Sequence, residues 1–269
     1  MTVRSIASEN PAPADPLAKH NSLGSNGIVG PKSVVTDTMT SMVISLLDRA
    51  IYSYSDVDRL VSLPVGTARR WLNGYERNRT FYEPVLRPEP QDRDVVTWGE
   101  LVEARLLAEF RSRSVPIQRM RPAIVRLREE FGRYPLAQAR PFLDASGREL
   151  VRRVQQEVSL DAPLQLVVVR NNQAMLSVAS VRFNESVRFA DGVATSLAPL
   201  ARTPLVTLDP QRAFGQPTVI GRSVRTSALA EDFRAGSSVG ELADLYDLPI
   251  VAVEQALRFE LTSSEHEAA

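Results

Sequence analysis

The chain contains no cysteine, only two histidines and two lysines, and no long apolar run. Without cysteine, disulfides and thiolate metal sites are excluded, a usage that fits a reducing cytosol. His20 and His266 both lie in polar terminal stretches, so histidine triads, histidine general bases and His-ligated metals have no place in the folded body. Lys19 and Lys32 are the only lysines, which removes a Ser-Lys dyad or a Schiff-base lysine from that body. Carboxylate chemistry alone stays open, and no spaced pair of acids has a motif around it. No catalytic residue, metal ligand or cofactor is expected, and the chain reads as a non-enzyme. The early apolar run Met42 to Leu47, broken by Ser45, is too short to span a membrane or serve as a signal core. A cytoplasmic protein without a membrane partner is the expectation.

What is present is a globular composition, 43% hydrophobic over 269 residues, with 32 basic and 32 acidic side chains. The balance hides an uneven distribution. Between Arg59 and Arg87 six arginines (59, 69, 70, 77, 79 and 87) face only Glu76 and Glu83, a net +4. From Thr226 to the end, Arg234 and Arg258 face nine acids, a net −7. A basic stretch suits nucleic acid, and an acidic one does not.

The segments divide by texture. Residues 1–45, rich in Ser, Asn, Pro, Gly and Thr, cannot bury enough surface to offset ordering and are expected to be a disordered tail. Ser55 is a candidate N-cap for a helix carrying Val57, Leu60 and Val61, with Ser62-Leu63-Pro64 as a turn. In the following helix Val65, Ala68 and Leu72 recur at helical spacing as the packed face, leaving Thr67, Arg69 and Arg70 toward solvent. Trp71 fits the core better than a DNA backbone contact. Tyr75 to Arg87 alternates aromatic and arginine residues and reads as a wing.

Thr97-Trp98-Gly99-Glu100 has capping-box spacing and opens an apolar helix through Phe110. A further helix starts at Pro116, kinks at Pro122 and stops at Gly132; its stripe Ile117, Met120, Ile124, Leu127 and Phe131 is core, or alternatively a dimer seam. From Tyr134 to about Val224 short β-branched runs predict strands at Leu164–Val169, Val178–Phe183 and Val187–Phe189. Ser146-Gly147, Asn171-Asn172 and Asp191-Gly192 read as hairpin turns. A helix near Ala228–Ala235, halted by Gly236, precedes a second capping box, Ser238 with Glu241.

The fold class expected is α+β: an N-terminal winged helix-turn-helix, a central small antiparallel β region and a C-terminal helix-turn-helix. Boundaries are placed at 46–133, 134–213 and 214–262, with a tail at 263–269. The two helix-turn-helix segments run in parallel. Leu63-Pro64-Val65-Gly66-Thr67-Ala68-Arg69-Arg70-Trp71-Leu72 is echoed by Leu248-Pro249-Ile250-Val251-Ala252-Val253-Glu254-Gln255-Ala256-Leu257. The first carries cations where a reader helix meets DNA, and the second carries Glu254 and Gln255 there.

On these residues, with Tyr54-Ser55 to Gly74-Tyr75 in front and Phe214-Gly215-Gln216-Pro217-Thr218-Val219-Ile220-Gly221 behind, the chain resembles VapB-class antitoxins that begin with a MerR-type winged helix and end in a domain of uncharacterised function. The resemblance implies a PIN-like ribonuclease toxin as partner, repression of the shared operon through operator DNA, and a homodimer. In such proteins a Gly-Thr-Arg-Ile-like turn is common, from which Gly221-Arg222-Ser223-Val224 departs. The DNA-binding candidates are Thr67, Arg69, Arg70, Asn73, Tyr75, Arg77 and Arg79. Candidates for holding a protein partner are Glu241, Asp244, Asp247 and Glu254, unless that acidic end is merely a solvated cap. The alternative function is a MerR-type one-component regulator sensing a small molecule.

Overall fold

The computed structural model describes residues 45–111 and 116–267. The expected N-terminal tail falls almost wholly outside them. A short strand, β1 (Ala50–Tyr52), leads into α1 (Tyr54–Leu60) and α2 (Thr67–Asn73), followed by the hairpin β2 (Tyr75–Arg77) and β3 (Thr80–Tyr82). The N-cap of α1 is Ser53, two residues before the one expected, because Ser53 and Asp56 form the capping box. Helix α2 begins at Thr67, preceded by Gly66 with φ 76°. That later start turns the face: Val65 is 68% exposed and Thr67 only 5%, the reverse of the expectation, while Ala68 and Leu72 are buried as expected.

Strand β4 (Val96–Thr97) pairs antiparallel with β1 and hands over to α3 (Trp98–Arg111). The expected capping box is there: the Thr97 amide donates to the Glu100 carboxylate at 2.9 Å, and the Glu100 amide to the Thr97 hydroxyl at 3.2 Å. Helix α3 is the central post, with most of its residues buried from Trp98 to Phe110. The Trp98 indole donates to the Ala194 carbonyl at 2.8 Å, tying the front of the chain to its middle. After a 3-10 turn at Ile117–Met120 comes α4 (Arg121–Phe131). All five stripe residues lie in the main core, which decides for core over dimer seam. Pro122 sits in the first turn of α4 instead of kinking a longer helix, since there its missing N–H has no partner to lose.

The middle is more helical than its β-branched texture suggested. Helices α5 (Arg140–Leu143) and α6 (Ala145–Glu157) precede the hairpin β5 (Val167–Arg170) with β6 (Gln173–Leu176). Ser146-Gly147 is no hairpin turn but lies within α6, where a Cβ on Gly147 would stand 2.0 Å from the Arg140 carbonyl oxygen. Val178–Phe183 is likewise not a strand but most of α7 (Val178–Ser186), since the Ser177 hydroxyl caps Ser180 and the four-residue spacing of Ala179 and Phe183 points both inward. Hairpin β7 (Val187–Ala190) with β8 (Val193–Leu197) follows. Asn171-Asn172 and Asp191-Gly192 are the turns expected, all four residues having positive φ. These hairpins are separate two-stranded sheets packed on helices, not one β layer.

Strands β9 (Val206–Thr207) and β10 (Thr218–Val219) introduce α8 (Thr226–Arg234), α9 (Val239–Leu245) and α10 (Ile250–Glu267). The last helix continues to Glu267, into the stretch expected as a tail at 263–269. A second, smaller core joins Val219, Leu229, Leu242, Leu248, Val253 and Ala256, while Phe259 of α10 inserts into the main core beside α1. Among the described residues no helix is long and apolar enough to cross a membrane. The architecture is α+β with a helix pair at each end.

Candidate nucleic-acid interface

The front helix pair is held by a carboxylate. Asp58 on α1 accepts from the backbone amides of Gly66 at 2.6 Å and Ala68 at 2.7 Å, supplying the N-terminal cap that Gly66, lacking a side chain, cannot give to α2. Burial raises its proton affinity, and the two amides pull it partly back. The far end of α2 is fixed through Trp71, whose carbonyl accepts from the amides of Val85 at 2.8 Å and Leu86 at 2.9 Å.

Arg87 ties this frame together from inside. Its guanidinium forms a two-pronged ion pair with Glu100 at 2.7 and 3.0 Å and donates to the Tyr54 hydroxyl, the Asn73 side-chain carbonyl and the Val95 carbonyl. Burial works to lower its pKa, but the Glu100 carboxylate holds it above the ordinary value. Arg87 therefore drops out of the basic surface inferred from the sequence. Arg59 is half-buried and pairs with Asp56 at 3.5 Å. The exposed positive charge of this region rests on Arg69, Arg70, Arg77 and Arg79.

The wing is a two-residue hairpin with Asn78 and Arg79 both at positive φ. Its base is set by Gly74, at φ 72°, where a Cβ would lie 2.3 Å from the Tyr82 carbonyl oxygen. Tyr75 stacks on Tyr82, ring centroids 4.9 Å apart and 8° from parallel. Arg70, Tyr75 and Arg77 line an open groove of about 620 Å³ between α2, the wing and the end of α3.

The seven residues expected to meet DNA divide into two groups. Arg69, Arg70, Arg77 and Arg79 are solvent-facing. Thr67 is buried, and its hydroxyl accepts from Arg70 at 3.1 Å. Asn73 is half-buried and already engaged: its amide donates to the Gln91 carbonyl at 2.6 Å, and its oxygen accepts from Gln91 and Arg87. Tyr75 is half-buried by its stack. Sequence reading missed Arg111, at the last turn of α3, which lines the same groove. Nothing in local spacing could bring it there, since the approach of α3 to α2 is tertiary.

The rear pair repeats the front at a constant offset of 185 positions. Ser53 and Ser238 both cap with a carboxylate three residues on. The Leu63 amide bonds the Asp58 carbonyl, and the Leu248 amide bonds the Ala243 carbonyl. Ala68, Trp71 and Leu72 are buried, as are Val253, Ala256 and Leu257. Where Arg69 is exposed Glu254 is exposed; where Arg70 is exposed Gln255 is half-buried and accepts from the Leu205 amide at 2.9 Å. Glu241, Asp244 and Asp247 are exposed too, Asp247 pairing with Arg222 at 2.9 Å. Among the described residues no cluster of three His or acidic side chains could hold a metal ion.

A capped helix pair, an arginine-bearing second helix and a hairpin wing define a winged helix-turn-helix. Residues 50–124 match a family described as "Putative DNA-binding HTH domain", and residues 206–259 match one described as "Protein of unknown function (DUF433)". The chain belongs to the family of the "Uncharacterized protein Rv2308" of Mycobacterium tuberculosis (strain ATCC 25618 / H37Rv), to which it is 40% identical over 223 residues, 81% of this chain and 92% of that one. It is also 28% identical over 233 residues to the "Putative antitoxin VapB45" of the same organism, covering 78% of this chain and 93% of the relative. Among solved structures it is similar to the X-ray crystal structure of Rv2018 from Mycobacterium tuberculosis, with a TM-score of 0.64, 26% identity, and coverage of 78% of this chain and 99% of the other.

Proposed function

We propose that the chain is a cytoplasmic, homodimeric antitoxin that binds its own operator through the front helix pair and neutralises a PIN-like ribonuclease with its rear half. The observation that carries the DNA part is the placing of Arg69 and Arg70 side by side on the exposed face of a helix whose ends are fixed by Asp58 and Trp71. Arginine donates in pairs to guanine O6 and N7, so one of the two reads a base while the other holds phosphate. Arg77 and Arg79 on the wing hold flanking phosphates, with Tyr75 bracing them. In this reading Thr67 and Asn73 serve by orienting the reader helix. A MerR-type docking follows, each subunit taking one half-site. The similarity to a protein named as an antitoxin supports the toxin partner, with Glu241, Asp244, Asp247 and Glu254 facing the cationic groove that an RNA-cutting enzyme needs.

Fluorescence anisotropy with DNA from upstream of the gene tests the first half. Arg69→Ala with Arg70→Ala weakens binding and lowers the salt slope by about 2 if both hold phosphate, or weakens it by about 1–3 kcal/mol at one base position for a base reader. Unchanged affinity and slope reject the assignment. Co-expression with the adjacent open reading frame, scored for co-purification and growth rescue, tests the second half.

A one-component regulator is the second reading, and one feature favours it. An open cleft of about 570 Å³ lies beneath the helix-turn-helix turn, lined by Val61, Ser62, Leu63, Arg105 and Leu200. A metabolite seated there would press on the turn directly. An enzyme or transporter gene next door, in place of a small nuclease gene, selects this reading.

A further inference from the structure

Among the described residues the rear helix pair lacks a cover that the front pair possesses. Leu60 closes α1 and is 1% exposed; Leu245, at the same place on α9, is 70% exposed. In the front half α10 packs against α1 and sends Phe259 into the main core. Helix α9 packs mainly on α8 and α10, and its outer side carries Glu241, Asp244 and Leu245, all open to solvent. Across the turn, Ile250 and Val251 open α10 with about half of their surface bare. Ile250 corresponds to Val65, also exposed, so the reader end is free in both pairs and the added exposure at Leu245 is peculiar to the rear.

We propose that the α9 face centred on Leu245 is a docking surface for a different protein, one that offers an apolar cleft rimmed by cationic side chains. Covering a leucine supplies the driving force of the contact, whereas rim charges mainly speed encounter and select the partner. Leu245 is thus the anchor and Asp244 part of the rim. Glu241 is occupied in part as the cap of α9, its carboxylate accepting from the Ser238 amide and hydroxyl at 2.7 and 2.8 Å. A second copy of this chain fits poorly, because a two-fold pairing of this face brings the Glu241 and Asp244 carboxylates of one copy near those of the other. Nucleic acid is repelled by the same acids.

The inference rests on the antitoxin reading for the partner tested, the full-length protein encoded beside this chain. Leu245→Asp and Asp244→Arg are titrated with it, and circular dichroism together with upstream-DNA affinity checks that each variant keeps its fold. Leu245→Asp weakens the complex tenfold or more, and Asp244→Arg weakens it less, by an amount that shrinks in high salt. Wild-type affinity in Leu245→Asp overturns the docking surface while the antitoxin reading stands. Failure of the wild-type pair to bind at all, with DNA binding intact, removes both. A change in the mass of Leu245→Asp alone, measured by light scattering, assigns the face to a second copy and overturns the proposal.

Discussion

Ser62 and Asp247 stand 185 positions apart and hold the same left-handed backbone, φ 53° and 49°, each as the corner residue of its helix pair. Neither is glycine. The corner directs the following leucine, Leu63 or Leu248, back into its core. A β-branched side chain meets its own carbonyl in that conformation. Ser62→Val is expected to cost about 1–2 kcal/mol in urea unfolding, while Ser62→Gly costs nothing measurable or gains slightly.

Asp58 has no counterpart in the rear pair, where Ala243 occupies its place and α10 begins earlier, at Ile250. Asp58→Ala should lose about 1–2 kcal/mol as two amides of the α2 start go unpaired. It should also weaken DNA binding, although Asp58 carries the wrong charge to touch phosphate. Unfolding midpoints and anisotropy on one preparation decide it; an unchanged midpoint contradicts the capping role.

The Arg87–Glu100 pair is buried on both sides. Removing one partner strands a charge in the interior, so Arg87→Ala or Glu100→Ala should each destabilise by about 3–5 kcal/mol. Arg87→Lys should rescue little, since an ammonium cannot reproduce the fork that meets Glu100, Tyr54, Asn73 and Val95 together. Thermal melts of the three variants suffice.

Glu103 on α3 is fully buried, accepting from the Leu136 amide at 3.0 Å with one oxygen, while the other has no hydrogen-bond partner among the described residues. Burial pushes its pKa up to about 8, only partly opposed by Arg128 and the Leu136 amide. The folded state thus holds this proton more tightly than the unfolded chain does. Its stabilising contribution is complete below the ordinary carboxyl value of 4.5, falls as pH rises toward about 8, and is flat above. Glu103→Gln keeps an acceptor for Leu136 and should flatten that fall, gaining about 1 kcal/mol or more at pH 8 over the wild type. Urea midpoints at pH 5 and pH 8 measure it.

Gly147→Ala tests the contact of α6 with α5. The added methyl would collide with the Arg140 carbonyl, and the backbone must move, at a cost of about 1–3 kcal/mol. An unaltered melting temperature would mean that the two helices separate freely.

Local signals told the truth where a residue type dictates a backbone. The Thr97 and Ser238 capping boxes, the Asn171-Asn172 and Asp191-Gly192 turns, and Gly132 with φ 88° after α4 all fall where the sequence put them. Misreadings arose where a residue type is permissive. Val178 and Val181 suggested a strand, yet their side chains point to solvent on α7 and the serine cap settled the matter. Gly147 suggested a turn and is a point of close approach. In the candidate site, solvent exposure of Arg69, Arg70, Arg77 and Arg79 was legible from helical period and wing pattern. The burial of Thr67 was not, because it depends on where α2 begins, and Gly66 set that.

By itself the sequence determined that two like helix pairs stand at the two ends with opposite charge, since spacing, caps and residue types are local properties. Only the tertiary structure decided which charges remain for a partner. It withdrew Arg87 into an ion pair with Glu100, engaged Asn73 with Gln91, brought Arg111 to the groove beside α2 and the wing, and left Leu245 bare while covering Leu60. Each of those outcomes depends on elements far apart in the chain meeting in space, and a side chain's neighbours, not its type, fix whether its charge or its methyl groups reach the solvent.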